Sequence, residues 1–128
     1  MIVIDASCAL KLILKQGNAE GLADRLLSEE IHAPHLIDVD ILNGLRRLLR
    51  LRQVPVERAR DGLAWLLELA IERHGHAELA WRIFDLRDSL SAYDAAYVAV
   101  AELAQAPLLT ADGRLVRSHG HRARIEAV

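Results

Sequence analysis

Ile2-Val3-Ile4-Asp5, close to the start of the chain, is the stretch that decides the fold. Three consecutive β-branched residues predict a strand that is buried on both faces, as the strands of parallel sheets are. Further short segments with strand character follow at 31–33, 70–72, 107–110 and 124–128. Because helical patterns separate these segments, the sequence predicts an α/β domain with a mostly parallel sheet.

Helical periodicity fills the intervals between the predicted strands. It is clearest at 36–51, where Ile37 and Ile41 belong to a broad apolar face and Asp40 and Asn43 lie on the opposite, polar stripe. The other predicted helical segments are 10–14, a helix capped by Asn18, 55–69, 76–87, 91–104 and 113–118. The segment at 91–104 opens with Ser91-Ala-Tyr-Asp94, a pattern that resembles a capping box.

The chain has 128 residues, a length that fits a single domain covering 1–128. Apolar residues make up 52% of the chain and aromatic residues only 4%, so Leu, Ala, Val and Ile must build the core. No stretch approaches the roughly 20 apolar residues of a membrane span, and the N-terminus lacks the pattern of a signal peptide. We therefore expect a cytoplasmic protein with no membrane partner. The lone Cys8 agrees with a reducing compartment and is predicted to be a small buried side chain.

The formal net charge of −2 argues against a generally basic surface for nucleic-acid binding. The arginines are nevertheless clustered, at 46, 47, 50 and 52 and again at 114, 117, 122 and 124. Each cluster is compatible with a local basic rim and equally with an ordinary solvated helix face.

Four aspartates fall near predicted strand ends or helix starts. Asp5 follows the first strand directly, and Asp112 follows the strand at 107–110. Asp94 lies in the first turn of the helix before that strand, and Asp40 lies early in the helix at 36–51. Since parallel sheets place their sites beyond the carboxyl ends of the strands, these four carboxylates are predicted to converge at one edge of the sheet.

Such a convergence has a chemical consequence. Crowded carboxylates raise one another's pKa unless a cation compensates their charge. Mg²⁺ or Mn²⁺ is the expected cation because these hard ions prefer carboxylate oxygen and water ligands. Sites of this kind hydrolyse phosphodiester bonds by positioning the phosphate and activating water. The position of Asp94 near a helix N-terminus also predicts that its carboxylate stays ionised.

Each of the four acids also has a purely structural explanation. Asp94 can cap its helix, Asp112 before a glycine can belong to a turn, and Asp40 can be an ordinary exposed acid. Asp5, after three buried apolar residues, is the hardest to explain without a function. It is therefore the joint placement of the four that carries the hypothesis of a metal-dependent nuclease.

The six histidines raise the alternative of a zinc site. In His74-Gly-His76 and His119-Gly-His121 the spacing aligns the two side chains if the chain is extended. Both pairs lie in predicted loops and the chain has no second cysteine, so exposed loop histidines are expected. No catalytic role is predicted for His32 and His35, and the two tryptophans, Trp65 and Trp81, are assigned to core or interface packing.

Several stretches of the sequence resemble a known family. They are V-I-D-A-S at 3–7, A-P-H-L-I-D-V-D-I-L-N-G-L at 33–45, L-S-A-Y-D-A-A-Y-V-A-V-A at 90–101 and L-L-T-A-D-G-R-L at 108–115. In order and spacing they look like PIN domains, and more narrowly like the VapC toxins of bacterial toxin–antitoxin pairs. The resemblance implies a three-layer α/β/α sandwich, an endoribonuclease dependent on Mg²⁺ or Mn²⁺, inhibition by a VapB-like antitoxin, and commonly a homodimer.

The resemblance also implies roles for individual residues. The acidic site would consist of Asp5, Asp40, Asp94 and Asp112. Ser7 matches a hydroxyl residue that supports the first acid by a hydrogen bond, and Asn43 and Thr110 match positions that surround the site. The family usually has Glu where this chain has Asp40, so this carboxylate is shorter by one methylene. Asp38 is a rival for the same role, although the helical phase favours Asp40.

Two other functions are compatible with the same sequence. One is a PIN-fold binding module in which the shortened acid at position 40 has weakened catalysis, so that the protein acts through partner association. The other is a phosphotransfer domain that uses Asp5 as acceptor, which would want a second acid close to Asp5. The Ala-rich helix at 95–104 is a candidate for close packing between two copies in a homodimer.

Overall fold

Two helices follow each of the first three strands, and one short helix follows the fourth. The structure is a computed structural model that describes residues 1–128. The strands are β1 (Ile2–Ile4), β2 (Ile31–Pro34), β3 (Ile71–His74), β4 (Leu108–Thr110) and β5 (Ile125–Ala127). The helices are α1 (Ala6–Leu14), α2 (Ala19–Ser28), α3 (Ile37–Arg50), α4 (Val56–Glu68), α5 (His76–Asp85), α6 (Ala92–Ala104) and α7 (Gly113–Val116).

The five strands form one sheet in the order β3-β2-β1-β4-β5, and every neighbouring pair is parallel. β1 occupies the centre, where Ile2, Val3 and Ile4 are all completely buried. This confirms the prediction that the opening apolar run is a strand covered on both faces. The carboxyl ends of β1 and β4 are neighbours, so Asp5 and the residues after Thr110 emerge side by side.

Helices cover the sheet in two outer layers. In one layer α6 packs across β1, β2 and β4, and α5 packs against α6. In the other layer α1 packs on β4 and contacts α2, α3 and α4. The predicted three-layer α/β/α sandwich is thus confirmed. Residues 95–101 of α6 are buried inside the chain. The suggestion that this Ala-rich helix packs against a second copy is therefore wrong, because its small side chains fit the helix closely against the sheet instead.

Local signals located most of these elements, but two boundaries differ in ways that matter for function. α1 begins at Ala6 rather than at Leu10, because the Asp5 side chain caps it by accepting a hydrogen bond from Cys8 N. β3 extends to His74, which pairs with Pro34 of β2. The expectation of a loop at His74 is wrong, since cross-strand pairing continues through His74.

Three individual side chains, Cys8, Trp81 and His121, can also be compared with what the sequence predicted for them. Cys8 is completely buried, and burial, reinforced by the nearby Asp5, raises the pKa of its thiol to about 12. Its predicted role as a small core residue is confirmed. Trp81 is 82% exposed on α5 and so is not a core residue. His121 is half-buried, with Nε2 2.8 Å from Ser118 Oγ, and so is not an exposed loop histidine. None of the helices combines the length and the apolar character that a membrane crossing requires.

Candidate active site

A cavity of about 620 Å³ lies beyond the carboxyl ends of β1 and β4. All four predicted aspartates line it, although they are separated by up to 107 positions in the sequence. Asp5 links β1 to α1, Asp40 lies in the first turn of α3, Asp94 lies in the first turn of α6, and Asp112 caps α7. The remaining polar lining includes Ser7, Lys11, Asn43, Arg47, Tyr97 and Arg114.

Asp5 is the most firmly held of the four. The residue as a whole is only 6% exposed. Oδ1 accepts hydrogen bonds from Ser7 Oγ at 2.7 Å and from Cys8 N at 2.9 Å, and Oδ2 accepts one from Thr110 Oγ1. Three donors fix the rotamer of this carboxylate, because each hydrogen bond constrains a different lone pair.

The two hydroxyl groups also connect Asp5 to the segment that carries Asp112. Ala111 N donates to Ser7 Oγ at 2.9 Å, and Asp112 N donates to Thr110 Oγ1 at 3.0 Å. Each hydroxyl therefore accepts from the backbone after β4 and donates to Asp5. This network sets the spacing between the ends of β1 and β4, and Thr110 contributes to it from a completely buried position.

Burial governs the protonation of Asp5. Desolvation raises the pKa of its carboxyl group, the hydrogen bonds from Ser7, Thr110 and Cys8 partly oppose this, and the charge of Asp40 raises the pKa further. The carboxylate is thus a buried negative charge without a cationic partner. Such a group favours a proton or a metal ion close to it.

The pKa of Asp94 is also raised, chiefly by burial and then by the charge of Asp112. The rise agrees with the predicted crowding of carboxylates, and its direction is opposite to that expected from the helix N-terminus alone. The cap of α6 is Ser91, whose Oγ accepts a hydrogen bond from Asp94 N at 3.2 Å. Desolvation and like charge outweigh the helix dipole here, since the side chain of Asp94 faces the acidic cavity.

Asp112 behaves in the opposite way. Burial by itself would raise the pKa of its carboxyl group, but hydrogen bonds from the backbone and side chain of Arg114 outweigh it and lower the pKa. Asp112 Oδ1 accepts from Arg114 N at 2.9 Å, and Oδ2 lies 3.3 Å from Arg114 Nη2. Asp112 therefore carries a stable negative charge, and it also serves as the N-cap of α7.

The structure separates Asp40 from its rival Asp38. Asp40 Oδ2 accepts a hydrogen bond of 2.8 Å from the buried phenol of Tyr97, and both residues line the cavity. Asp38 lies outside the cavity and forms a double hydrogen bond with Arg73, with both distances 2.7 Å. That pairing with Arg73 lowers the pKa of Asp38. Asp38 is thus satisfied by a structural ion pair.

Sequence reasoning overlooked Tyr97 and Lys11, whereas Arg47 belongs to an arginine cluster that it had offered as a local basic rim. Tyr97 lies three positions after Asp94 on α6, so that helical spacing brings both to the same side. Burial, together with the charge of Asp40, raises the pKa of its phenol, which therefore acts as a hydrogen-bond donor at neutral pH. The tyrosine stood within the S-A-Y-D-A-A-Y motif, but no pattern indicated that it would reach an acid on α3.

The donor set of this cavity fits a hard divalent cation. Its candidate ligands are carboxylate oxygens, and no histidine or cysteine lines it. No three of the aspartates bring ligand oxygens within 4.8 Å of one another, so the acids surround the space rather than close upon one point. Oxygen ligands at such spacing suit ions that keep part of their water, as Mg²⁺ does.

A larger groove, of about 890 Å³, runs between α1, α2 and α4 and is lined in part by Leu12, Ile13 and Trp65. Its lining holds no cluster of three potential metal ligands. Size alone therefore does not locate the chemistry, and the smaller acidic cavity is the candidate active site.

Comparison with known proteins agrees with this architecture. The PIN domain family matches residues 2–119. The chain belongs to the PIN domain family. Among curated relatives, ribonuclease VapC9 of Mycobacterium tuberculosis is 44% identical over 90% of this chain and 88% of its own length. Ribonuclease VapC12 of the same organism is 37% identical over 100% of this chain and 99% of its own length. These relatives confirm the narrower resemblance to VapC proteins.

Solved structures of PIN-like proteins share the fold at low sequence identity. PAE2754 from Pyrobaculum aerophilum superimposes with a TM-score of 0.71 at 23% identity, covering 97% of this chain and 81% of its own. VapBC2 from Rickettsia felis, solved bound to a DNA fragment from its promoter, gives a TM-score of 0.70 at 15% identity, with coverage of 99% and 98%. At such identities the likeness establishes the fold and nothing finer.

Proposed function

We propose that this PIN domain is a metal-dependent endoribonuclease that acts as the toxin of a VapBC-type toxin–antitoxin pair. The observation that carries the proposal is the convergence of Asp5, Asp40, Asp94 and Asp112 on one cavity at the edge of the sheet. The ribonuclease names of relatives up to 44% identical support the reaction class. The cofactor in this proposal is Mg²⁺ or Mn²⁺.

In the proposed mechanism the residues of the cavity have different roles. Asp5 provides a carboxylate whose orientation is fixed by Ser7, Thr110 and the Cys8 amide. Asp94 and Asp112 face the same space from α6 and α7, and Tyr97 orients Asp40. A divalent cation held by these acids supplies Lewis acidity toward the scissile phosphate and a nucleophile at neutral pH.

The RNA backbone requires positive charge beside the acids. Lys11, Arg47 and Arg114 line the cavity, and the side chain of Arg114 is 85% exposed. Cationic side chains at a cavity mouth bind phosphate and place the strand without reading its sequence. Arg47 and Arg114 come from the two arginine clusters of the sequence, so each cluster contributes at least one member to this rim.

The proposal also covers the binding partners, the cellular location and the oligomeric state of the protein. An antitoxin similar to VapB would restrain the nuclease, and the substrate would be cytoplasmic RNA. A homodimer is supported by the exposed apolar side chains of Trp81 and Phe84 on α5, and sedimentation velocity would measure it. Residues 1–128 would form one PIN domain.

The alternative is a PIN-fold binding module with a weakened site. The reason to consider it is that Asp40 is one methylene shorter than the Glu usual at this position of the family. However, Asp40 lies in the cavity and receives a directed hydrogen bond from Tyr97, which supports a retained role for this acid. An Asp40→Glu variant measures the consequence of the missing methylene.

The test is cleavage of total RNA by purified protein that is free of antitoxin, with Mg²⁺, with Mn²⁺ and with EDTA. We expect discrete products that require the metal. Asp5→Asn and Asp94→Asn should abolish them, because each substitution removes a charge that faces the cavity. Asp38→Asn is the matched control, since Asp38 is paired with Arg73 outside the cavity.

Cleavage by the unaltered chain and by Asp38→Asn, but not by the two cavity variants, supports the nuclease. Cleavage that persists in Asp5→Asn and Asp94→Asn would refute the assigned site. Absence of cleavage with either metal on total RNA would leave the binding module as the better explanation, and a partner-capture experiment would then measure it directly.

A further inference from the structure

A second cluster of possible metal ligands lies between β2 and β3, away from the acidic cavity. It comprises His32, Glu72 and His74, whose ligand atoms all lie within 4.8 Å of one another. No other group of three or more histidine, cysteine or acidic side chains in the chain converges so closely. We propose that this cluster is a binding site for a Zn²⁺-type divalent cation.

The register of the sheet creates this cluster. His32 pairs with Glu72, and Pro34 pairs with His74, so that Glu72 and His74 stand two residues apart beside His32. Side chains two residues apart on a strand point to the same face. All three side chains therefore share one face of the sheet, with β3 at the edge of the sheet.

The facing ring nitrogens are close enough to share one ion. His32 Nδ1 lies 2.9 Å from His74 Nε2 and 3.9 Å from Glu72 Oε2. Two nitrogens on one tetrahedral Zn²⁺ stand about 3.3 Å apart, given bonds of roughly 2.0–2.1 Å. The cluster therefore needs only a slight widening between the rings and a slight approach of Glu72.

A carboxylate behind the His32 ring favours this orientation of its lone pair. His32 Nε2 lies 2.7 Å from Glu30 Oε1. Because a carboxylate only accepts, Glu30 holds the proton on His32 Nε2 and leaves the lone pair on Nδ1. Glu78 Oε1 lies 3.7 Å from His74 Nδ1, beyond hydrogen-bond distance but on the side that faces away from the cluster. This arrangement of carboxylate, histidine and metal is the usual support of histidine ligands.

The 2.9 Å contact between the inner nitrogens is satisfied in the metal-free state when His74 Nε2 donates to His32 Nδ1. A cation would take the place of this hydrogen bond, and the His74 ring would then carry its proton on Nδ1, the nitrogen that faces Glu78.

The chemistry of the donors selects the ion. Two imidazole nitrogens with one carboxylate suit Zn²⁺, whereas Mg²⁺ demands oxygen ligands. The side chain of His32 is 7% exposed and that of Glu72 is 62% exposed. The ion would thus enter past Glu72 from solvent and meet one buried imidazole, His32, and one partly buried imidazole, His74. Occupancy would join the edge strand β3 to β2 and so stabilise that edge of the sheet.

The first test is a Zn²⁺ titration of tag-free protein labelled with ¹⁵N, with excess Mg²⁺ present to occupy the acidic cavity. Long-range ¹H–¹⁵N spectra report each histidine nitrogen separately. We expect one equivalent of Zn²⁺ to shift His32 Nδ1 and His74 Nε2, and EDTA to reverse the shift. Shifts confined to His119 or His121, or no shift at all, would overturn the proposal. Because the unaltered protein is used, misfolding of a variant cannot confuse the result.

The second test is calorimetric titration of variants. Glu72→Gln keeps its size at an exposed position on the edge strand, and His74→Ala removes one imidazole. We expect each to weaken Zn²⁺ binding by at least about 10- to 100-fold, the loss typical even of an outer supporting group. His119→Ala is the matched control and should bind as the unaltered chain does. Equal affinity in all four proteins would refute the site.

This proposal is independent of the nuclease assignment. Glu72→Gln should cleave RNA at the unaltered rate with Mg²⁺, because its side chain lies outside the acidic cavity. Loss of zinc binding together with retained cleavage is the expected pair of results. If Glu72→Gln bound Zn²⁺ normally while its cleavage fell, the assigned role of Glu72 would be wrong.

Discussion

The acidic cavity and the histidine cluster are both gatherings of possible metal ligands, but they are built differently. The cavity collects four carboxylates from strand ends and helix starts, with Asp5 held by three donors. The histidine cluster collects two imidazoles and one carboxylate from neighbouring positions on two paired strands. The first is open and formed of oxygens, whereas the second is close-set and mixed.

That difference shows how donor chemistry and spacing would allow one small fold to distinguish two ions. Widely placed oxygens suit a hydrated hard cation, and adjacent imidazoles suit zinc. Because the two sites are expected to prefer different ions, each can be tested separately by the choice of metal and of variant. The predictions below use this independence.

The largest effect is expected within the cavity, from a pair of neighbouring aspartates. Asp40→Asn should lower the rate of RNA cleavage by about 10²- to 10³-fold, the usual cost of losing a group that stabilises charge in the transition state. Asp38→Asn should leave the rate within about twofold, since its partly exposed ion pair with Arg73 contributes no more than about 1 kcal/mol to stability. Initial cleavage rates at saturating Mn²⁺ compare the two. Equal losses would show that the cavity does not define the active site.

A smaller effect is expected from the hydroxyl that supports Asp5. Thr110→Val preserves shape but removes the donor to Asp5 Oδ2 and the acceptor for Asp112 N. The Mn²⁺ concentration for half-maximal cleavage should rise by about 10- to 100-fold, as for other groups that orient metal ligands. Thr110→Ser retains the hydroxyl and should behave almost normally. A Thr110→Val protein with unaltered metal dependence would contradict this role.

The histidine cluster offers a corresponding but weaker test. Glu30→Gln removes the charge that holds the proton on His32 Nε2 at 2.7 Å. Zn²⁺ affinity should fall by about 10-fold, while Mg²⁺-dependent cleavage should not change. Glu78→Gln should have a lesser effect, because Glu78 lies 3.7 Å from His74. Calorimetric titration measures the Zn²⁺ affinity of both variants. A loss of RNA cleavage in Glu30→Gln would show that the histidine cluster and the acidic cavity are coupled.

The smallest effect is a pH dependence of stability in the absence of metal. The pKa of Asp5 is raised in the folded chain, chiefly by burial, so its folded form holds the proton more tightly than its unfolded form. Its contribution to stability is full below the ordinary carboxyl pKa of about 3.9 and is lost as the pH rises through the folded value.

Urea unfolding in EDTA can isolate this contribution. As the pH rises from about 4 to about 7, the free energy of unfolding of Asp5→Asn should improve relative to the unaltered chain, because Asn has no proton to lose. Saturating Mg²⁺ should remove that advantage by compensating the charge. A relative stability of the variant that declines with rising pH would show that the folded pKa of Asp5 is not raised.

Much of the fold could be predicted because its signals are local. Ile2-Val3-Ile4 is apolar without alternation, and this alone requires burial on both faces. Ser91 and Asn18 begin their helices as capping residues should. The limit of β3 could not be predicted, because the pairing of His74 with Pro34 depends on where β2 lies.

The site divides in the same way. Asp5, Asp94 and Asp112 stand at strand ends and helix starts, so a parallel topology suffices to predict that they lie near one another. The hydrogen bond from Tyr97 to Asp40 joins α6 to α3, and no spacing within either helix reveals it. Crowding of like charges predicted part of the raised pKa of Asp94, but the larger contribution of burial could not be predicted, because desolvation depends on what surrounds a carboxylate rather than on its place in a helix.

The sequence by itself determined the order of strands and helices, the burial of β1 and the set of aspartates at the ends of elements, since periodicity and capping act over a few residues. Only the tertiary structure decided that Asp38 pairs with Arg73 while Asp40 faces the cavity. It also decided that His32 stands beside His74, although 42 positions separate them. Lateral pairing of parallel strands is set by packing of whole helices on the sheet, and no local pattern of residues encodes it.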